Sequence, residues 1–382
     1  MKILKTSFIL LSLAGVWKPR GWRGIKAFIY YFYQFTVVIS DHMFIISSIL
    51  DLEFKNVDPS ELFDNLSLLL AMTNARQKMS CVIIGRGAIK YIIDTLEKSP
   101  FKTRNNKEEV IAMKFDGLIR NIFVSYTMTT IGGIWLYSAS RSSVLDPPHT
   151  LPYKGWFPYN YSNPIVYWLT AAFQLYAINT ANVVDLVMDL LISAILCSMC
   201  AQVHILKYRF KVMLEELKGI TNDTECSDIA TTERLMIADW VEYHIDLINL
   251  IKYMNNVFSN VIFLQYTVSS VILCTLAFLM SHTDAMTMTF AGYFGFLITI
   301  YFQVFQQCYC AHTLTSESAD ITTGIYDADW PSLSNNIRRS VVIIMCKSYR
   351  PILITSSFFI ILSLESFTKI IKLAYTIYNV LS

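Results

Sequence analysis

The last nineteen residues, LESFTKIIKLAYTIYNVLS (364–382), place Glu365, Lys369, Lys372, Thr376 and Asn379 at spacings of four and three. At 3.6 residues per turn these five side chains share one face of a helix, and Leu364, Phe367, Ile371, Ala374, Tyr378 and Leu381 share the other. A column of carboxylate, ammonium, hydroxyl and amide groups solvates water and ions, so something wet lies along that face. The plain alternative is an i,i+4 pair between Glu365 and Lys369, with polar contacts between helices, which needs no water path.

Four more ionisable residues, Asp41, His42, Asp185 and Asp189, stand in apolar stretches. The cost of such groups in lipid makes each a functional candidate. Asp189 fits helix packing or gating as well as ligand contact, and none of the four is assigned to a site. The eight cysteines show no metal-ligand spacing with histidine, and the C-x-x-C of Cys197 and Cys200 lies on an apolar helix, where it reads as packing. No disulfide framework, metal or cofactor is expected. No span sets a nucleophile beside a base, so enzyme activity is not expected either.

The elements that must hold these residues follow from composition. Hydrophobic residues make up 54% of the 382 and charged residues 16%, against about 45–50% and about 25% in soluble domains. This is the composition of a polytopic membrane protein with all-α spans. A net charge of +2, with no Gly-rich phosphate loop and no interleaved basic and aromatic patch, argues against nucleic acid. The opening MKILKTSFILLSLA imitates a secretory signal but lacks a small-x-small cleavage site, so a short amphipathic segment at the membrane is expected there.

Spans of about 20 apolar residues fall at 25–50, 120–139, 165–200, 256–280, 286–309 and 352–380. A seventh, at 62–84, is interrupted by Arg76 and Lys78, but the charge on either side supports it. Residues 51–64 hold five acids and one lysine, whereas 76–120 hold ten Lys and Arg. By alternate sides, Lys and Arg number 6, 10, 6 and 4 over 1–26, 76–120, 206–252 and 310–350, against Lys55, Arg141 and Lys154 opposite. The basic side is cytoplasmic by the positive-inside rule, which puts the N-terminus inside and the C-terminus outside. Seven spans in this sense are inverted relative to a G-protein-coupled receptor.

The external segment 140–164, rich in Pro, Tyr and Trp, reads as a structured lid, and Asn160-Tyr161-Ser162 within it is a glycosylation sequon on the side where sugars are added. Sequons at Asn65 and Asn222 fall in a span and on the cytoplasmic side, where they are inert. Helices over 165–217, 232–280 and 286–325 outrun a bilayer and turn polar at their cytoplasmic ends. Such extensions bury their apolar faces only against each other, which predicts a cytoplasmic bundle suited to subunit contact. One more amphipathic helix is expected between Pro331 and Arg350.

Several stretches resemble the insect odorant receptors: CKSYRPILITSSFFIILSLESFTKIIKLAYTIYNVLS at the end, with its L-S-L-E-x-F core; GVWKP near the start; GWFPYNYSNPIVYW; DLLISAILCSMCAQVHILKYR; and IYDADWP. They come in order and cover most of the chain. Gustatory receptors are similar in architecture, but the T-Y-x-x-x-x-x-Q-F pattern of their last helix is missing. The segment between spans four and five is short, unlike that of the family's co-receptor, so the chain resembles a ligand-tuned subunit.

The resemblance implies an odorant-gated, nonselective cation channel at the plasma membrane. It further implies a heterotetramer of such subunits with odorant co-receptors, embedded in lipid. It divides the chain, a single seven-span domain over 1–382, into a ligand-binding bundle with helix extensions (25–309), a cytoplasmic anchor (310–350) and a pore helix (351–382). Matched residue by residue, the apolar gate ring falls at Val380, with Thr376 and Asn379 just below. Lys369 and Lys372 lie about 16 and 12 Å inward of Val380 at 1.5 Å per residue, so either the conduit is wide at that depth or these lysines point elsewhere.

In that family the ligand sits in the outer half of the bundle, enclosed by spans two, three, four and six. A small volatile ligand needs an apolar, aromatic cavity with few polar groups. The implied lining is Met128, Ile131 and Trp135 on span three, with Trp135 at a pocket tryptophan's position. Phe173, Tyr176 and Thr180 come from span four, Phe290 and Phe294 from span six, and Leu69 and Met72 from span two. Among other classes, a G-protein-coupled receptor requires an external N-terminus and a transporter internal repeats, and the two halves show no repeat.

Overall fold

The computed structural model describes residues 2–381 except 20, 55–58, 144–149, 224–228, 332–333 and 357–359; within its helices and strands the side chains of 2–5, 59–60, 142, 220–223, 229–230, 360, 377 and 380–381 are also left undescribed. Among the described residues the fold is helical apart from one two-stranded ribbon. The helices are α1 (Lys2–Leu13), α2 (Ile25–Phe54), α3 (Pro59–Ile84), α4 (Arg86–Leu96), α5 (Asn106–Ser142), α6 (Pro164–Asp223), α7 (Ile229–Ser281), α8 (Met288–Tyr326), α9 (Asn335–Ser348) and α10 (Leu364–Leu381). Strands β1 (Thr355–Ser356) and β2 (Ile360–Ile361) pair antiparallel between α9 and α10.

Local chemistry sets the ends of these helices. α5 starts on Asn105, whose Oδ1 accepts from Glu108 N at 3.0 Å, and α8 on Thr287, whose Oγ1 accepts from Phe290 N at 3.2 Å. α6 begins with Pro164, the residue that gives up least at a first helical position, behind Asn163, whose Oδ1 accepts from Ile165 N. By length and composition α2, α6, α7 and α8 can each cross a membrane; α3, α5 and α10 complete the seven helices expected. The long extensions are present as α6, α7 and α8, and the amphipathic helix expected after Pro331 is α9. The opening segment is helical, as α1.

One boundary differs. A span from 352 is expected, but the last helix starts only at Leu364. Pro351 cannot continue a helix, and the β-branched run after it pairs as the ribbon, with Leu362 N donating to Ile354 O at 2.9 Å. Ser363 then caps α10, its Oγ accepting from Ser366 N at 3.1 Å. The 18 residues of α10 reach about 27 Å at 1.5 Å each, close to a bilayer's hydrocarbon thickness.

The core has two parts. The larger is built on the second half of α6, where Leu191, Ile195, Val203 and Leu206 are fully buried, and it takes in residues of α7, α8, α4 and the N-terminal segment. Trp240 Nε1 donates to Leu206 O at 3.0 Å and Tyr243 OH to Gln202 Oε1 at 2.6 Å, locking α7 to α6. The smaller part joins α2, α3, α5, α6, α7 and α8 around Phe44, Ala177, Ile272 and Tyr293. Glycine lets α5 and α8 come closest. A Cβ on Gly133 would lie 2.6 Å from the Gly295 carbonyl oxygen, and one on Gly292 would collide with Ser140.

Candidate functional site: a cavity between five helices

Within the smaller core, α3, α5, α6, α7 and α8 enclose a cavity of about 70 Å³, room for several waters or a small organic molecule by the same measure. Each helix contributes one face at i, i+3, i+4 spacing: Leu68, Ala71, Met72 and Ala75 from α3; Thr130, Gly133, Ile134, Tyr137 and Ser138 from α5; Ile178, Ala181, Asn182 and Asp185 from α6; Phe296, Thr299, Ile300 and Gln303 from α8. Ser269 and Ile272 of α7 complete the wall.

The segment before α6 closes one end. Gln174 Nε2 donates to Tyr153 O at 2.8 Å and Tyr153 N to Gln174 Oε1 at 3.2 Å, and Trp156 N donates to Ser47 O at 2.9 Å. Tyr153 is thereby buried and lines the cavity. Beside it Arg141 pairs with Asp64 and donates from Nη2 to Tyr137 OH at 2.8 Å. The expected lid is present in 150–163; residues 144–149 lie outside the described residues.

The other end is polar. Lys78 Nζ donates to Asp185 Oδ1 at 2.7 Å and to Asp189 Oδ1 at 2.6 Å. Asp189 also accepts from Tyr126 OH at 3.0 Å, Gln303 Nε2 at 2.7 Å and Gln307 Nε2 at 2.8 Å. Asp185 accepts from Asn74 Nδ2 at 3.1 Å on Oδ1 and from Gln303 Nε2 at 2.7 Å on Oδ2. Every one of these partners is a donor, and a donor-only shell fits the ionised carboxylate. Two carboxylates against one ammonium leave this end with a formal charge of −1.

Of the ten residues the resemblance implies for the pocket, Met72 lines this cavity. Leu69 packs on the surrounding core without lining it. Met128, Ile131 and Trp135 lie on the opposite side of α5, with Trp135 72% and Met128 68% exposed. The difference is one of rotation: α5 turns the face of Thr130, Ile134 and Tyr137 toward this cavity, and a residue one position away points about 100° off it. Tyr176 and Phe294 are exposed for the same reason, one position from the buried Ala177 and two from the cavity-lining Phe296. Phe173, Thr180 and Phe290 are half-buried and do not line the cavity. Asn160 is exposed, its Oδ1 accepting from Ser162 N at 2.9 Å, whereas Asn65 is buried.

α10 divides as its sequence predicts. Phe367 and Ala374 are buried, with Phe367 set edge-on to Tyr301 and Phe305 at 5.1 and 5.5 Å. Glu365, Lys369, Lys372, Thr376 and Asn379 all lie on the exposed side. Lys369 Nζ reaches Glu365 Oε1 at 2.7 Å, so the i,i+4 pair and the exposed polar stripe coexist. The backbone of Val380 is helical; its side chain lies outside the described residues.

A family model described as 7tm Odorant receptor matches residues 58–375. The chain belongs to that family. It is 22% identical over 316 residues to odorant receptor 67c of Drosophila melanogaster, covering 80% of this chain and 75% of that one. To odorant receptor 2a of the same organism it is 22% identical over 385 residues, covering 97% and 94%. The solved structure of the insect olfactory receptor OR5 from Machilis hrabei in complex with eugenol has the same fold, with a TM-score of 0.83 at 14% identity over 100% of this chain and 97% of that one. This odorant receptor is therefore a multi-pass membrane protein and not an enzyme.

Among the receptor's cavity residues, Tyr137, Tyr153, Asn74 and Gln303 escaped the sequence reading, and Asp185 was a candidate assigned to no site. A signal existed for the polar ones. Lys78 in α3 and the i,i+4 pair Asp185 and Asp189 in α6 are opposite charges in apolar helices, and such charges seek one another. On α5 the signal is weaker: small and polar residues, Thr130, Gly133 and Ser138, mark the inward face, and large apolar ones, Met128, Ile131 and Trp135, the outward face.

Proposed function

We propose that this receptor is a ligand-tuned subunit of an odorant-gated, nonselective cation channel that works at the plasma membrane with a co-receptor in a heterotetramer. A small volatile enters the cavity between α3, α5, α6, α7 and α8, and α10 lines the ion path with Thr376, Asn379 and Val380. The N-terminus is cytoplasmic and the C-terminus external, as the basic excess on one side of the chain indicates. The observation that carries the reading is an enclosed, largely apolar cavity in a member of the odorant receptor family, beside a final helix whose polar stripe faces away from its own bundle.

Voltage clamp of cells expressing the chain with and without a co-receptor, against a volatile panel, tests it. Current is expected within milliseconds of odorant, independent of G proteins, and little or none without the co-receptor. Strong odorant-gated current from the chain alone removes the co-receptor from the reading. A tag after Ser382 labels on intact cells and one before Met1 only after permeabilisation; the reverse restores the G-protein-coupled alternative.

A further inference from the structure

The two ends of the cavity differ in what they leave unspent. At the lid end the charges, Arg141 and Asp64, cancel each other. Asp185 lies eleven residues beyond Gln174, about 16 Å farther along α6, and is the one charged side chain among the described lining residues. Lys78, which partly offsets it, is fully buried and does not line the cavity.

Each carboxylate oxygen offers two lone-pair sites. Oδ1 of Asp185 has two donors, Asn74 Nδ2 and Lys78 Nζ, but Oδ2 has one, Gln303 Nε2. Because Asn74 must aim its Nδ2 at Asp185, its Oδ1 is left over, and that atom is buried with no hydrogen-bond partner. Asn74 is itself 4% exposed and lines the cavity. Thr130 Oγ1, which also lines the cavity, is buried with no hydrogen-bond partner and can donate or accept, whereas Asp185 Oδ2 and Asn74 Oδ1 can only accept, and these two sit beside a net formal charge of −1.

We propose that the ligand of this cavity is a small volatile amine, with its apolar body among Met72, Ile134, Ile178 and Phe296 and its ammonium at Asp185 and Asn74. The proposal rests on the cavity being the odorant site. A protonated amine brings only donors and one positive charge, which answers both deficits. An alcohol brings one neutral donor. A carboxylate or ester brings acceptors to acceptors and is rejected, most strongly when charged.

The test uses cells expressing the full chain with its co-receptor and a series of primary amines from ethylamine to octylamine, with benzylamine, beside the matched alcohols, hydrocarbons and carboxylic acids. At equal carbon skeleton the expected order of potency is amine, alcohol, hydrocarbon, with the acids silent. Asp185→Asn lowers amine potency about tenfold or more and leaves the alcohols within about threefold; Asp185→Glu keeps the amine preference. The wild-type order needs no variant to fold, so it stands as a test by itself.

Silence to every amine, or amines no better than their hydrocarbons, overturns the proposal. So does an amine-to-alcohol ratio unchanged in a surface-labelled Asp185→Asn. Ile178→Trp, which fills the cavity, separates this failure from the larger one. If it abolishes responses to whichever odorants act while the amine preference is absent, the cavity is the odorant site and only the ligand class is wrong. If it leaves odorant responses intact, the cavity is not the site and both readings fall.

Discussion

Lys78 Nζ lies 2.6 Å from Asp189 Oδ1 with both side chains fully buried, an ion pair that pins α3 to α6. The partners are 111 residues apart in sequence, so the pair forms only when the bundle does. Removing Lys78 leaves the buried Asp189 and the half-buried Asp185 carboxylates with no cation, and breaking a buried pair in this way costs about 3–5 kcal/mol. Lys78→Met is expected to lower the thermal unfolding midpoint of the detergent-purified protein and its surface fraction in cells. Adding Asp189→Asn to it restores the original formal charge and recovers part of the loss. Equal losses in the single and double variants rule out charge as the cause.

Two neighbouring glycines of α5 give opposite expectations. A Cβ at Gly133 meets the α8 backbone, while one at Gly132 meets no atom within 4 Å. Gly133→Ala therefore forces α5 and α8 apart, at about 1–3 kcal/mol, and deforms the cavity that Gly133 lines. Gly132→Ala gains up to about 1 kcal/mol from helix propensity. Thermal unfolding of the two variants side by side checks this, and the same sign in both would show that the α5–α8 contact is not close-packed.

How much of this was legible in the sequence depends on what each residue's signal competed with. The helices and their long extensions were readable because apolar length and polar ends act locally. The polar stripe of α10 was readable because five polar residues among apolar ones define a face. Trp135 and Met128 lie off the cavity because the inward arc of α5 is the one with small and polar residues, Thr130, Gly133 and Ser138, and the close approach of Gly133 to Gly295 of α8 that selects it is a tertiary event. The start of α10 was misread because a hydropathy window counts ILITSSFFII as membrane-like, while its β-branched content and the Ser363 cap favour a ribbon. Lys78 reads as an interruption of its own helix because its partners, Asp185 and Asp189, lie on another.

The Glu108–Arg209 pair predicts a dependence on pH. Arg209 Nε and Nη2 donate to Glu108 Oε1 and Oε2, both at 2.9 Å, and Nη1 donates to Pro100 O at 2.9 Å, tying the start of α5 to α6. Burial alone raises the Glu108 carboxyl, but the Arg209 fork, the Arg104 N–H and the charges of both arginines outweigh it and hold it below its ordinary value. A carboxyl depressed on folding stabilises the protein above its unfolded value, and that stabilisation is lost as pH falls through the folded value. Unfolding midpoints measured downward from neutral pH are expected to drop in the acid range, with a shallower drop in Glu108→Gln. Parallel curves for the two proteins would assign the acid loss to other groups.

The proposed pocket and the proposed pore face lie on different helices, so their variants are expected to separate. Phe296→Ala and Ile178→Ala remove apolar contact worth about 1–3 kcal/mol each, or roughly tenfold or more in odorant potency, and leave ion selectivity alone. Trp135→Ala, on the outward face of α5, changes potency by less than about threefold. On α10, Asn379→Asp and Thr376→Val alter a polar face that points away from its own bundle. If that face borders the ion path, they shift reversal potential or divalent permeability, because charge beside a narrow conduit acts on every passing cation. The shift is modest where co-receptors supply the rest of the ring, and the rank order of odorants is unchanged. Concentration–response curves and reversal potentials from the same cells decide the matter. If the α10 variants reorder the odorant panel and leave permeation untouched, the stripe faces ligand rather than ions, and the Glu365–Lys369 pair is a surface ion pair with no conduit beside it.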